Sequence, residues 1–329
     1  MRSVLRLVLV AMGLLFAATA GAASQDRFEL PQPYLDWERS YLNDFPELQR
    51  VMDRMVEASV RQMKDPSQDI LHNRVCSALA YKMASDLKLK REEQKLAVLT
   101  DLLHNISKEE MPLVLTDANV LGQVSQLMTR LKQAGHLTKS PEFWTDENIF
   151  RNPLVGANRA LIHHITGALM AGEMLQALGG YSERDVARMQ AAVVGHSTGY
   201  WYFRQSVDDI TRTKDAWRKV YPEPEEDIAK IAHDADLISQ FEFQSVVPEG
   251  SKWRVIAAKR WGAKNPVEEA HIVYYVFSRL FEEARTEAGQ TLAREEWLKI
   301  RPELVKLMGL KPDEDPVKAF GVPKVFQRD

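Results

Sequence analysis

Helix punctuation recurs along this chain and strand punctuation hardly appears, which restricts it to an all-α fold before any other property is considered. In YSERDVARMQAAVVGHS, Ser182 followed three residues later by Asp185 is a capping-box pattern, and Gly179 with Gly180 ends the helix before it. In NPVEEAHIVYYVFSRLFEEA, Asn265 is placed to cap and Pro266 takes the first helical position. No internal repeat or low-complexity tract interrupts the pattern. The expectation is a helical bundle.

Prolines divide the bundle. Pro66 in KDPSQD, the VYPEPEED stretch, and VVPEG around Pro248 bracket a central block. We therefore expect a helical lead-in over 23–65, a central helical domain over 66–247 and a helical extension over 248–329. Within the block, Glu109 to Gly156 carries no chemically suggestive cluster and reads as an inserted helical subregion.

The first residues bear on location. Arg2 and Arg6 precede an apolar run from Leu7 to Ala18, followed by the small residues ATAGAAS. Such a run falls short of the roughly twenty apolar residues that span a bilayer and matches a secretory signal. Residues 1–22 are expected to be that signal, cleaved near Ala22, which places the mature chain in the periplasm or outside the cell with no transmembrane anchor. Without Arg2 and Arg6 the chain has 41 basic and 46 acidic residues, a net charge of −5, and no footprint for nucleic acid. Its single cysteine, Cys76, excludes an internal disulfide, which a chain of this length does not need.

Histidines carry the chemical signal. His72 shares a helical face with Val75, Cys76, Leu79 and Met83, and His196 shares one with Val186, Met189 and Val193. His104 and Asn105 lie side by side in the apolar LTDLLHNISK, where two buried polar groups need partners or a metal. His163 opens HHITGALMAGEML, whose small residues suit close helix packing. Asp234 and Asp236 bring carboxylates into IAKIAHDADLISQF, and periodicity does not say which faces inward. One inward histidine is ordinarily a satisfied core residue. Four helices each delivering one, with a fifth delivering a carboxylate, point to a site for zinc, iron or manganese. His164 and His233 are candidates to orient the ligands, whereas His136 and His271 are assigned no role.

The order of these residues resembles the HD-domain metal-dependent phosphohydrolases. His72 in LHNRVCSALA is similar to the family's opening histidine, LLHNISK to its LLHDIGK signature, and HHITGA to the HPEIGA stretch of the HD-GYP branch. VVGHS supplies His196, and DADLIS resembles the closing DAD segment, whose second aspartate is Asp236. The resemblance runs from His72 to Asp236 and implies an HD-like domain with His72, His104, Asn105, His163, His196 and Asp236 around a divalent metal, with Lys108 holding a phosphate. Two residues depart from the pattern. Asn105 stands where the family has aspartate, and Ser107 where it has glycine. An amide offers a neutral oxygen and no charge, so one ion is expected rather than a bridged pair. The resemblance implies an exported phosphohydrolase acting on a nucleotide or another small phosphate ester. The alternatives are a non-catalytic HD-fold binding module of the cell envelope and an HD-type iron oxygenase, which the loss of a bridging carboxylate disfavours.

Overall fold

A computed structural model describes residues 30–62, 66–107, 118–137, 163–197 and 223–327, and these are helical with no strand among them. The helices are α1 (Tyr34–Asp44), α2 (Leu48–Gln62), α3 (Pro66–Asp86), α4 (Arg91–Leu103), α5 (Ala118–Gln133), α6 (His163–Leu178) and α7 (Glu183–Gly195). They continue with α8 (Asp227–Ser239), α9 (Phe243–Val246), α10 (Lys252–Trp261), α11 (Pro266–Leu280), α12 (Glu287–Leu307) and α13 (Pro316–Phe320). The expected start and stop signals act as read. The Ser182 hydroxyl accepts from the Asp185 backbone N–H, Asn265 accepts from that of Glu268, and Gly179 and Gly180 adopt the left-handed conformation that closes α6.

One apolar core runs from Leu30 to Met308 and takes in residues of the lead-in, the central block and the extension. At its centre lies α8, which packs against α3, α4, α7 and α12 and is buried on nearly every face. A helix apolar all round belongs in an interior, and that is where this one sits. Its two carboxylates point to different neighbours. Asp234 accepts from the backbone N–H groups of Arg285 (2.7 Å) and Thr286 (2.8 Å) and from the Thr286 hydroxyl (2.7 Å), so it anchors the N-terminus of α12. Asp236 faces α3 and α4 instead.

The small residues of α6 serve the expected close packing. A Cβ at Gly167 would come 3.0 Å from the His104 carbonyl oxygen, and one at Gly172 would collide with the Gln190 amide. Gln190 is itself fixed, donating to the Ala168 carbonyl (2.9 Å) and accepting from Arg130 on α5 (3.0 Å). This approach brings the start of α6 against the end of α4. Ser107 completes the junction, donating to the His163 carbonyl (3.0 Å) and pairing with the Thr166 hydroxyl (2.8 Å). Ser107 thus ties the turn after α4 to the first turn of α6.

Candidate metal centre

Five helices deliver one continuous array of side chains. His72 comes from the first half of α3, His104 caps α4, His163 opens α6, His196 caps α7, and Asp236 lies near the end of α8. Asp236 Oδ1 is 3.1 Å from His72 Nε2 and 4.0 Å from His104 Nε2. His72 Nε2 and His104 Nε2 are 3.2 Å apart. The His104 ring meets that of His196 edge-on at 4.8 Å between centroids, and His196 Nε2 lies 3.2 Å from His163 Nε2. The sequence-derived candidates therefore converge, apart from Lys108, which lies outside the described residues.

Local structure sets the tautomers. At the ends of α4 and α7 the last carbonyls lack intrahelical donors. His104 Nδ1 donates to the Asp101 carbonyl three residues back (2.7 Å), and His196 Nδ1 donates in the same way to Val193 (2.6 Å). A carbonyl can only accept, so each neutral ring keeps its lone pair on Nε2. The bond that caps the helix also aims the ligand atom. On His72, Nδ1 lies 3.2 Å from Ser239 Oγ, whose own proton goes to the Asp236 carbonyl (2.7 Å). Ser239 thus accepts from His72, and Nε2 is again the nitrogen left to act as acceptor. His163 then carries the hydrogen between itself and His196.

Three acceptor atoms, His72 Nε2, His104 Nε2 and Asp236 Oδ1, are thereby gathered within 4.0 Å in a buried place. Their juxtaposition is repulsive unless something positive lies among them, either a proton on His72 or a cation. Cys76 adds a fourth donor, and its sulfur lies 3.8 Å from the ring nitrogens of His72. The donor atoms of His72, Cys76, His104 and Asp236 all lie within 4.8 Å of one another, and the group could hold a metal ion. Sequence reading missed Cys76 as a candidate ligand, although its i, i+4 spacing from His72 was visible. The C-terminal ends of α4 and α7, where the helix dipole is negative, also favour a cation here.

The protonation states agree with this. Burial, then the neighbouring His196 and His72, holds His104 well below the usual imidazole range, and burial pushes His196 down to about 4. Both rings are neutral at physiological pH. Burial alone would raise Asp236, but a proton on His72 Nε2, one of the two positive partners the array can take, donates to it across 3.1 Å and keeps it well below the usual carboxylate range. Asp101 behaves oppositely. Fully buried, its carboxyl oxygens without partners, it is raised well above the usual range by burial and by Asp236 and Asp234.

Several expectations need correction or sharpening. Asn105 was expected to offer its amide oxygen to the metal, but it turns its nitrogen to the site, donating from Nδ2 to His104 Nε2 at 2.9 Å, while Oδ1 is buried without a hydrogen-bond partner. Aspartate in that place would have no N–H to give, so the amide occupies the lone pair a cation would use. His233 bonds Asp234, the anchor of α12, at 3.0 Å. His164 stacks edge-on against His163 with centroids 5.9 Å apart. His136 pairs with Glu226 at 2.6 Å and His271 packs on Phe320, both in other surroundings. The proposed signal at 1–22 lies outside the described residues, and none of the described helices is long and apolar enough to cross a membrane.

Comparison with protein-family models, curated proteins and solved structures finds no match for this chain.

Proposed function

We propose that the chain binds one divalent cation through His72, His104 and Asp236 and hydrolyses a small phosphate ester or nucleotide outside the cytoplasm. The observation that carries this reading is the meeting of three acceptor atoms from α3, α4 and α8, with the His104 tautomer fixed by a helix-capping bond and that of His72 by Ser239. Ligands at about 2.0–2.1 Å from one ion lie roughly 3.3 Å from each other, close to the 3.1 and 3.2 Å separations from His72 Nε2, while His104 Nε2 and Asp236 Oδ1, 4.0 Å apart, must draw together slightly. A divalent ion bound there would supply Lewis acidity and a nucleophile at neutral pH. The chain's own residues supply the setting. Ser239 and the Asp101 and Val193 carbonyls hold the rings, burial keeps His104 and His196 neutral, and His163 with His196 extends the array away from Asp236. Lys108, next to the anchored Ser107, is the residue this reading assigns to a phosphate oxygen.

A second reading follows from Asn105. Its amide carries no charge and presents a donor to His104, which suits a module that binds a ligand or metal without turning it over. Assay of the full chain with added manganese against a panel of phosphomonoesters and phosphodiesters separates the two. Turnover that a chelator removes, and that Asp236→Asn lowers at least a hundredfold, is expected. Stoichiometric metal with no turnover on any ester would favour the binding module.

A further inference from the structure

We propose that Cys76 is a thiolate ligand of the same centre and that it makes the site one for a borderline-soft ion such as zinc, iron(II) or cobalt(II) in preference to manganese or magnesium. This rests on the metal reading above and goes beyond it in naming the ion class.

Three observations carry it. The first is distance. With bonds of about 2.0–2.1 Å to nitrogen and about 2.3 Å to sulfur, a nitrogen and a sulfur sharing one ion sit roughly 3.6 Å apart. The sulfur of Cys76 is 3.8 Å from each ring nitrogen of His72, so it lies beside the ring and a turn of one of the two side chains brings it onto an ion held at Nε2, and it lies within 4.8 Å of the donor atoms of His104 and Asp236. The second is placement. Cys76 follows His72 by one turn on α3, so both side chains leave the helix on one face, and the sulfur reaches across to the Ala235 carbonyl (3.7 Å), beside Asp236. The third is charge. Cys76 is fully buried and His104 equally so. With Asn105 neutral, His72, His104 and Asp236 bring one negative charge to a doubly positive ion, leaving a net charge in the interior. A thiolate supplies the second negative charge. On binding, the S–H bond gives its proton to solvent as the sulfur–metal bond forms, with no change of oxidation state. The missing family carboxylate at Asn105 is thereby compensated from the neighbouring helix by a softer donor, and soft donors select zinc, iron or cobalt over manganese and magnesium.

Cobalt(II) titration of the full chain, with Cys76→Ser beside it, tests the proposal. Wild type is expected to show visible ligand-field bands together with an intense near-ultraviolet sulfur-to-cobalt charge-transfer band. Cys76→Ser should keep the visible bands, lose the charge-transfer band and lower the preference for zinc over manganese at least tenfold. X-ray absorption on the zinc-loaded wild type needs no variant to fold, and should place a sulfur at about 2.3 Å from the metal. Cobalt bound with ligand-field bands but no charge-transfer band, or a zinc shell of nitrogen and oxygen alone, would overturn the thiolate ligand and leave the metal centre standing. Failure to bind cobalt or zinc at all would overturn both.

Discussion

Replacing Asn105 by aspartate is expected to have opposite effects on the metal-free and metal-loaded protein. Asn105 is 2 % exposed and its Oδ1 has no hydrogen-bond partner. In the metal-free chain, Asn105→Asp removes the N–H that His104 Nε2 accepts and buries a second carboxylate near Asp236, costing roughly a few kcal/mol of stability. With a divalent cation present, the same carboxylate is attracted to the ion across a short, poorly screened distance, and affinity should rise at least tenfold. Melting in chelator and in excess zinc reads both effects. The melting temperature should fall in the first and rise relative to wild type in the second. A fall in both, with unchanged metal affinity, would mean Asn105 faces no metal.

A second large effect is expected from acid. His104 and His196 are held below the usual imidazole range in the folded chain, but titrate near 6.5 once unfolded. As pH falls below 6.5 the unfolded state therefore binds protons at these sites that the folded state refuses, His196 down to about pH 4. Asp101, raised in the folded state, opposes this with one proton that the unfolded chain has lost. Asp236, lowered when folded, adds to the loss as pH falls through the ordinary carboxylate range. The two histidines outweigh Asp101, so the metal-free protein should lose stability as pH falls below the ordinary imidazole range. Urea midpoints in chelator measure this. Bound metal should steepen the slope, because protons compete for the same nitrogens. Stability that is flat or increases toward acid would show that the buried histidines are not neutral ligands.

How far the site could be read from sequence depends on how polar the surroundings of each residue are. His72 and His196 lie on helices with a recognisable apolar stripe, and the stripe pointed both inward correctly. Asp234 and Asp236 lie on α8, which is buried around its circumference, so periodicity held no information about direction. Only tertiary contact separates them, one capping α12 and the other facing His72. Cys76 was hidden for a different reason. A buried cysteine on an apolar stripe reads as a small hydrophobe, and the spacing to His72 gains meaning only once His104 and Asp236 are seen beside it. Asp101 falls within LTDLLHNISK yet gave no signal, because a helix-interior carboxylate is ordinarily solvated. The capping bonds of His104 and His196 were likewise invisible, since they depend on where α4 and α7 end. The bonds of Ser107 to His163 and Thr166 depend on the close approach of α6 to the end of α4, which sequence does not show. Pro66 opens α3, Pro224 precedes α8 and Pro248 follows α9, whereas the extent of a core is set by which apolar faces meet, and here they meet from Leu30 to Met308.

Metal content tests the central claim most directly, namely that the histidine and carboxylate array is a cation site. The full chain is purified without chelator, soaked with zinc, iron(II) or manganese, desalted and analysed by mass spectrometry, together with His104→Ala, His136→Ala and His271→Ala. The expected result is one ion per chain in wild type, His136→Ala and His271→Ala, and less than about a tenth of that in His104→Ala, where the lone pair between His72 and Asn105 is gone. Wild type that holds no metal and takes up none on soaking, or equal metal in all four proteins, would contradict it.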